Sequence, residues 1–164
     1  MKSKNEWKEI IDEMFYSELS KLYKQSIARL ADEKLAKRHQ EIEWQVECIK
    51  ERWSNMTIEN DFIGRVEIGL MSEMGYHVGD TKGVKKKYRR LIIEDVVKGP
   101  IPLVGNKRYM SWWGADASTR RLQAMKDFLG DKIHSPAHKN HYRALSEWSE
   151  DLTWLEKNGD EFTK

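Results

Sequence analysis

The first 63 residues of this 164-residue chain hold neither glycine nor proline; the first glycine is Gly64 and the first proline is Pro100. Cys48 is the sole cysteine, which excludes an internal disulfide and any multi-cysteine zinc site and makes a reducing compartment the expectation. No apolar run approaches the roughly 20 residues a membrane-spanning helix needs. Met1-Lys2-Ser3-Lys4-Asn5-Glu6 leads into no apolar signal region, so a soluble, cytoplasmic chain without membrane partners is expected. Glycine-rich phosphate loops, the HExxH zinc signature and the strained serine elbow are also missing. What the chain does have is charge, 34% of its residues, together with seven tryptophans.

A breaker-free stretch rich in Glu, Lys, Leu, Ile and Gln predicts helix. Leu35, His39, Ile42, Val46, Ile49 and Trp53 alternate steps of four and three, the spacing of a heptad seam. Trp7, Ile11, Met14 or Phe15, Leu19 and Leu22 form a second run. Between the two, the pattern weakens at Ser26, and Ala31-Asp32-Glu33 offers a new N-cap. Residues 1–56 are therefore read as one long helix or, preferably, a coiled-coil-like helical hairpin that buries its own seam. A single helix of that length would run roughly 90 Å.

Beyond Ser54-Asn55-Met56-Thr57, Phe62, Ile63, Val66, Leu70, Met71 and Met74 fit a short amphipathic helix capped at Asn60 or Asp61. Residues 75–83 read as a glycine-punctuated turn. A helix follows from Val84 to Lys98, with Gly99 and Pro100 as its stop. Asp116 or Ser118 opens another, carrying Leu122, Met125, Phe128 and Leu129 and closed by Gly130. Ser135-Pro136 launches the last, through Tyr142, Leu145, Trp148, Leu152 and Leu155 to Asn158-Gly159. The class is all-α with five to seven helices: the arm or hairpin over 1–56, a compact bundle of about four shorter helices over 57–158 with a basic face, and a tail over 159–164.

The formal net charge of +2 conceals a segregation. Residues 1–56 balance eleven bases with eleven acids, residues 57–81 sum to −4, residues 82–143 to +10 and residues 144–164 to −4. Such asymmetry speaks to partners rather than to fold. One ordinary explanation is that the acidic ends fold against the basic middle and neutralise it.

Lys82, Lys85, Lys86, Lys87, Arg89 and Arg90 place six cations in nine residues at a turn and on the helix after it. The periodicity turns Tyr88, Leu91 and Ile92 inward and leaves Lys86, Arg89 and Arg90 facing outward. A glycine turn followed by a cationic helix loosely matches a helix-turn-helix reader. No Asn or Gln lies in residues 82–98 to read adenine edges, so phosphate contacts would dominate. Lys107, Arg108, Trp112 and Trp113 form an aromatic-basic loop, with Arg120 and Arg121 following. Two adjacent tryptophans cannot both face one core from a regular helix, so at least one is expected at the surface, suited to a protein hot spot or to base stacking.

Three weaker signals remain. Cys48 reads as a small buried hydrophobe. His134, His138 and His141 are weak candidate zinc ligands that lack a full donor set, and no metal or cofactor is expected. Asp80-Thr81-Lys82 has the D-x-K form of metal-dependent nucleases, with Glu67 or Glu73 upstream. That pattern arises roughly three times by chance in this composition and needs a strand pair for context. The expectation is thus a non-enzymatic nucleic-acid-binding module. The alternative is an accessory or regulatory protein whose basic, Trp-bearing face or whose 1–56 segment meets a protein partner or a second copy. A metal-dependent hydrolase is the minor alternative.

Overall fold

The computed structural model describes residues 1–56, 69–102 and 107–164. Among the described residues every regular element is helical, with eight α-helices and two single turns of 3-10 helix. The chain divides into two compact units, Met1–Gly75 with Pro100–Asn106, and Tyr76–Gly99 with Lys107–Lys164.

In the first unit, residues 1–56 form three helices, neither one long helix nor a two-helix hairpin: α1 (Lys4–Asp12), α2 (Tyr16–Asp32) and α3 (Ala36–Ser54). Absence of glycine and proline did not ensure continuity, because ordinary residues break the helix by turning extended. Phe15 (φ −78°, ψ 163°) does so before α2 and Leu35 (φ −83°, ψ 119°) before α3. Capping finishes the ends. Ser3 accepts from the Glu6 N–H while Glu6 accepts from the Ser3 N–H, the reciprocal box that holds a helix start.

Four of the six seam positions read from the sequence are buried on α3 and pack on α1 and α2, while Leu35 precedes the helix 59% exposed and His39 is half-buried. Ile42, Val46, Ile49 and Trp53 are buried, together with Ile11 of α1 and Tyr16, Leu19, Tyr23 and Ile27 of α2. The rings of Tyr23 and Trp53 stand 5.0 Å apart. Ser26, where the sequence pattern weakens, is 1% exposed and donates to Gln45 Oε1 of α3 at 2.9 Å, so the apparent flaw is a buried polar pair. Lys4–Glu47 and Lys8–Glu51 run along the α1–α3 flank in parallel register. These pairs are about half exposed and fix register more than they add stability. The helix expected over residues 62–74 lies mostly outside the described residues; its described end is α4 (Leu70–Glu73), where Glu73 accepts from the Ser20 hydroxyl at 3.0 Å.

The second unit contains α5 (Lys86–Lys98), α6 (Lys107–Trp113), α7 (Thr119–His134), a 3-10 turn at Pro136–His138, α8 (Tyr142–Asn158) and a closing 3-10 turn at Gly159–Phe162. α5 appears where the sequence places it, and Gly99 ends it at φ +65°, ψ −176°, a region essentially closed to residues with a Cβ. Ser118 caps α7 by accepting from the Arg121 N–H at 3.0 Å. Two boundaries differ from the sequence reading. α7 runs through Gly130 to His134, since a glycine ends a helix only where the chain needs a positive φ, and Gly130 shows none. Pro136 starts only a 3-10 turn, closed by the Lys139 N–H on Pro136 O, and the last helix begins at Tyr142. The expected loop at residues 107–113 is the helix α6.

α7 and α8 pack on each other and on α5 around Ile92, Ile93, Val96, Val97, Met125, Leu129, Trp148 and Leu155. Residues 159–164 are anchored. Phe162 packs 5.7 Å from the Trp154 ring, and the Lys164 N–H donates to Ala117 O at 2.9 Å. Before α5, the Val84 N–H returns to His77 O and closes a tight loop. A Cβ at Gly83 would fall 2.3 Å from Gly79 O, so the loop requires glycine there.

Candidate nucleic-acid interface

The basic segment splits into cations that build the second unit and cations that coat it. Arg89 does not face outward. Its side chain is 2% exposed, and it donates through Nε to Asp151 Oδ2 at 2.7 Å and through Nη2 to Asp151 Oδ1 at 3.2 Å. Nη1 contacts Glu147 and Val84 O. Asp151, itself wholly buried, also accepts from the Tyr76 hydroxyl at 2.7 Å. Residues 89, 92, 93, 96 and 97 share one stripe of α5, and residues 144, 148, 151 and 155 one stripe of α8. Arg89 and Asp151 thus sit in phase with apolar neighbours, and their ion pair closes the α5–α8 contact. Burial lowers the proton affinity of the Arg89 guanidinium, but hydrogen bonding and charge from Asp151 and Glu147 outweigh it, and the net shift is upward. Burial and then the Asp151 charge push the Tyr76 hydroxyl far up, so Tyr76 stays a donor.

Arg121 is the second structural cation, 1% exposed on α7. Nε donates to Trp113 O, Nη1 to Val96 O and Nη2 to Gly114 O and Asp116, at 2.7–3.1 Å. One planar fork thereby satisfies carbonyls at the ends of α5 and α6. Burial lowers its proton affinity below the ordinary guanidinium value, with Asp116 opposing. Arg121→Lys is expected to cost about 2 kcal/mol, because one ammonium cannot reach all of these acceptors and leaves carbonyls buried without partners. Chemical denaturation checks this; a loss below about 0.5 kcal/mol would mean that the fork is dispensable.

The remaining candidates lie at the surface in two groups. Lys82, Lys85 and Lys87 are exposed on the loop and first turn of α5, and Lys86, also exposed, pairs with Glu150 at 2.6 Å. Arg90 is half-buried, its guanidinium 5.2 Å above the Trp154 ring. At the other end of α5, Lys107, Arg108 and Arg120 are exposed, and Arg120 stands 5.5 Å over the ring of Trp112. Trp112 is 38% exposed and Trp113 only 4%, their rings edge-on at 4.9 Å, so α6 divides the two indoles between solvent and core. Arg121 ties this corner to Val96, ten residues beyond Lys86 and therefore about 15 Å further along the helix. The two groups do not form one compact cluster.

Part of the acidic C-terminal segment does neutralise the basic middle, but it does so inward. Glu147 and Asp151 serve Arg89, and Glu150 serves Lys86. These three acids, with Tyr76 and Trp154, are the site-shaping residues that the sequence reading missed; the in-phase position of Asp151 among Ala144, Trp148 and Leu155 was the available signal.

Asp80 and Lys82 of the D-x-K motif lie in the exposed loop, where Asp80 pairs loosely with Arg143 at 3.4 Å. Glu67 lies outside the described residues, and no strand occurs among those described. Cys48 is buried, and burial raises its thiol pKa, as suits a packing residue. His134 is exposed at the end of α7; His138 and His141 meet across the turn before α8, their Nδ1 atoms 3.4 Å apart. Partial burial, then Lys132 and His141, hold the His138 imidazole below its usual pKa. Among the described residues no three His, Cys, Asp or Glu side chains converge as a metal set, and no helix is long and apolar enough to cross a membrane. No protein-family model, curated protein or solved structure matches this chain.

Proposed function

We propose that the chain is a non-enzymatic, cytoplasmic module that binds nucleic acid through the phosphate backbone. The observation that carries the reading is the partition of its cations. Glu147, Glu150 and Asp151 pair with Arg89 and Lys86, and the side chains of Lys82, Lys85, Lys87, Lys107, Arg108 and Arg120 are exposed on the same unit. Two groups of exposed cations near the two ends of α5, about 15 Å apart, suit a polymer whose charges repeat every 1.7 Å along a duplex. The Trp112–Arg120 corner adds an aromatic face for an unpaired base.

An electrophoretic shift assay with generic duplex DNA, duplex RNA and single strands at low salt tests the reading. Lys82, Lys85 and Lys87 exchanged together for Glu are expected to weaken binding at least 100-fold with an unchanged helical spectrum. Trp112→Ala is expected to weaken single strands by about 1–3 kcal/mol and duplexes little. Absence of binding to every nucleic acid overturns the proposal in favour of an acidic protein partner. Unchanged binding in the triple variant overturns the assignment to this face.

A further inference from the structure

The geometry points to a two-histidine site for a divalent transition cation at His138 and His141, where the two Nδ1 atoms face each other at 3.4 Å. The turn that carries them is closed by the His141 N–H on His138 O at 2.9 Å, which fixes the spacing of the two Cα positions. Zn–N bonds of about 2.0–2.1 Å at the tetrahedral angle separate two ligand nitrogens by about 3.3–3.4 Å, which matches the distance found. The ring centroids are 5.5 Å apart, further than the nitrogens, so the Nδ1 edges are the ones turned toward each other. His138 packs edge-on against Trp148 at 4.9 Å, which limits its ring rotation. The pair lines an open cleft of about 490 Å³ whose other walls include Asp80, Asn140 and Arg143.

Imidazole donors select zinc, copper, nickel and cobalt over magnesium or calcium. With two protein ligands, water or a group entering the cleft completes the coordination, and affinity belongs to the chelate rather than to either imidazole. Lys82, one of the proposed phosphate-binding cations, lines the same cleft, but the test of the metal site does not involve nucleic acid.

The test is titration of the full chain with Zn²⁺ by calorimetry and with Cu²⁺ by electron paramagnetic resonance. One cation per chain is expected to bind with micromolar affinity, with two nitrogen couplings in the copper spectrum. His138→Ala and His141→Ala are each expected to weaken binding at least tenfold and to leave one nitrogen coupling. The double variant is expected to lose little more than either single one, since a chelate fails when either arm is removed. His134→Ala is expected to leave affinity within twofold. Wild-type affinity no higher than that of the double variant overturns the site, and so does an equal loss in His134→Ala.

Discussion

Arg89→Met is expected to lower the unfolding free energy by about 3–5 kcal/mol, because it strands a buried carboxylate. Asp151 has no exposed surface, and its partners are the Arg89 guanidinium and the Tyr76 hydroxyl. Methionine fills much of the space of the arginine stem but supplies no charge and no donors. Asp151 is then left with one hydroxyl donor, and Glu147 loses its close contact as well. For a cooperative unit of 60–100 residues, such a loss corresponds to a fall in Tm of more than about 12 °C. Arg89→Met combined with Asp151→Leu is expected to recover most of that loss, since removing both charges removes the penalty of an unpaired one. Denaturant unfolding of the two variants decides the matter. A single variant within about 1 kcal/mol of wild type would mean that the carboxylate finds water or another cation.

This network also shows what periodicity conveys and what it does not. The spacing puts Tyr88, Leu91 and Ile92 inward on α5, whereas the buried stripe is Arg89, Ile92, Ile93, Val96 and Val97 and Tyr88 and Leu91 are only half-buried, so the phase read from the sequence is off by one residue. The partner could not be read from α5 at all, since Asp151 is 62 residues away and only the packed α5–α8 pair brings them together. Arg121 repeats the point: it lies beside Leu122 and in phase with Met125, and its acceptors are carbonyls, which have no sequence signature.

Helix ends were legible where local chemistry sets them. Ser118 and Gly99 act as the sequence indicates, one through its hydroxyl and the other through a backbone conformation that excludes a side chain. They were not legible where packing sets them. Phe15 carries no turn chemistry, yet it interrupts a helix so that α1 and α2 can both lie on α3; the second break is anticipated at residues 31–33 and falls just after them, with Leu35 rather than Asp32 or Glu33 preceding α3. Gly130 and Pro136 have the residue types of a stop and a start, but α7 continues through the one and α8 ignores the other. The split of Trp112 from Trp113 was readable because adjacent helical residues diverge by about 100°; which of them lies inside was not.

The second large expected effect is the salt dependence of binding, and it follows from the same partition. Arg89 and Arg121 are internal, so the proposed phosphate contacts fall to Lys82, Lys85, Lys87, Lys107, Arg108 and Arg120. Each contact with duplex DNA releases counterion at a slope of about −0.9, so six give a slope near −5 and a loss of about 10³ in affinity between 50 and 200 mM salt. Charge reversal at Lys82, Lys85 and Lys87 is expected to flatten the slope along with lowering the affinity, while Arg121→Lys is expected to leave the slope unchanged wherever the protein stays folded. The direct measurement is fluorescence anisotropy of a labelled generic duplex against the full chain across that salt range. A slope near −5 that flattens in the triple variant agrees with an exposed cationic face engaging phosphates; no binding at 50 mM salt, or a slope shallower than about −2, contradicts it.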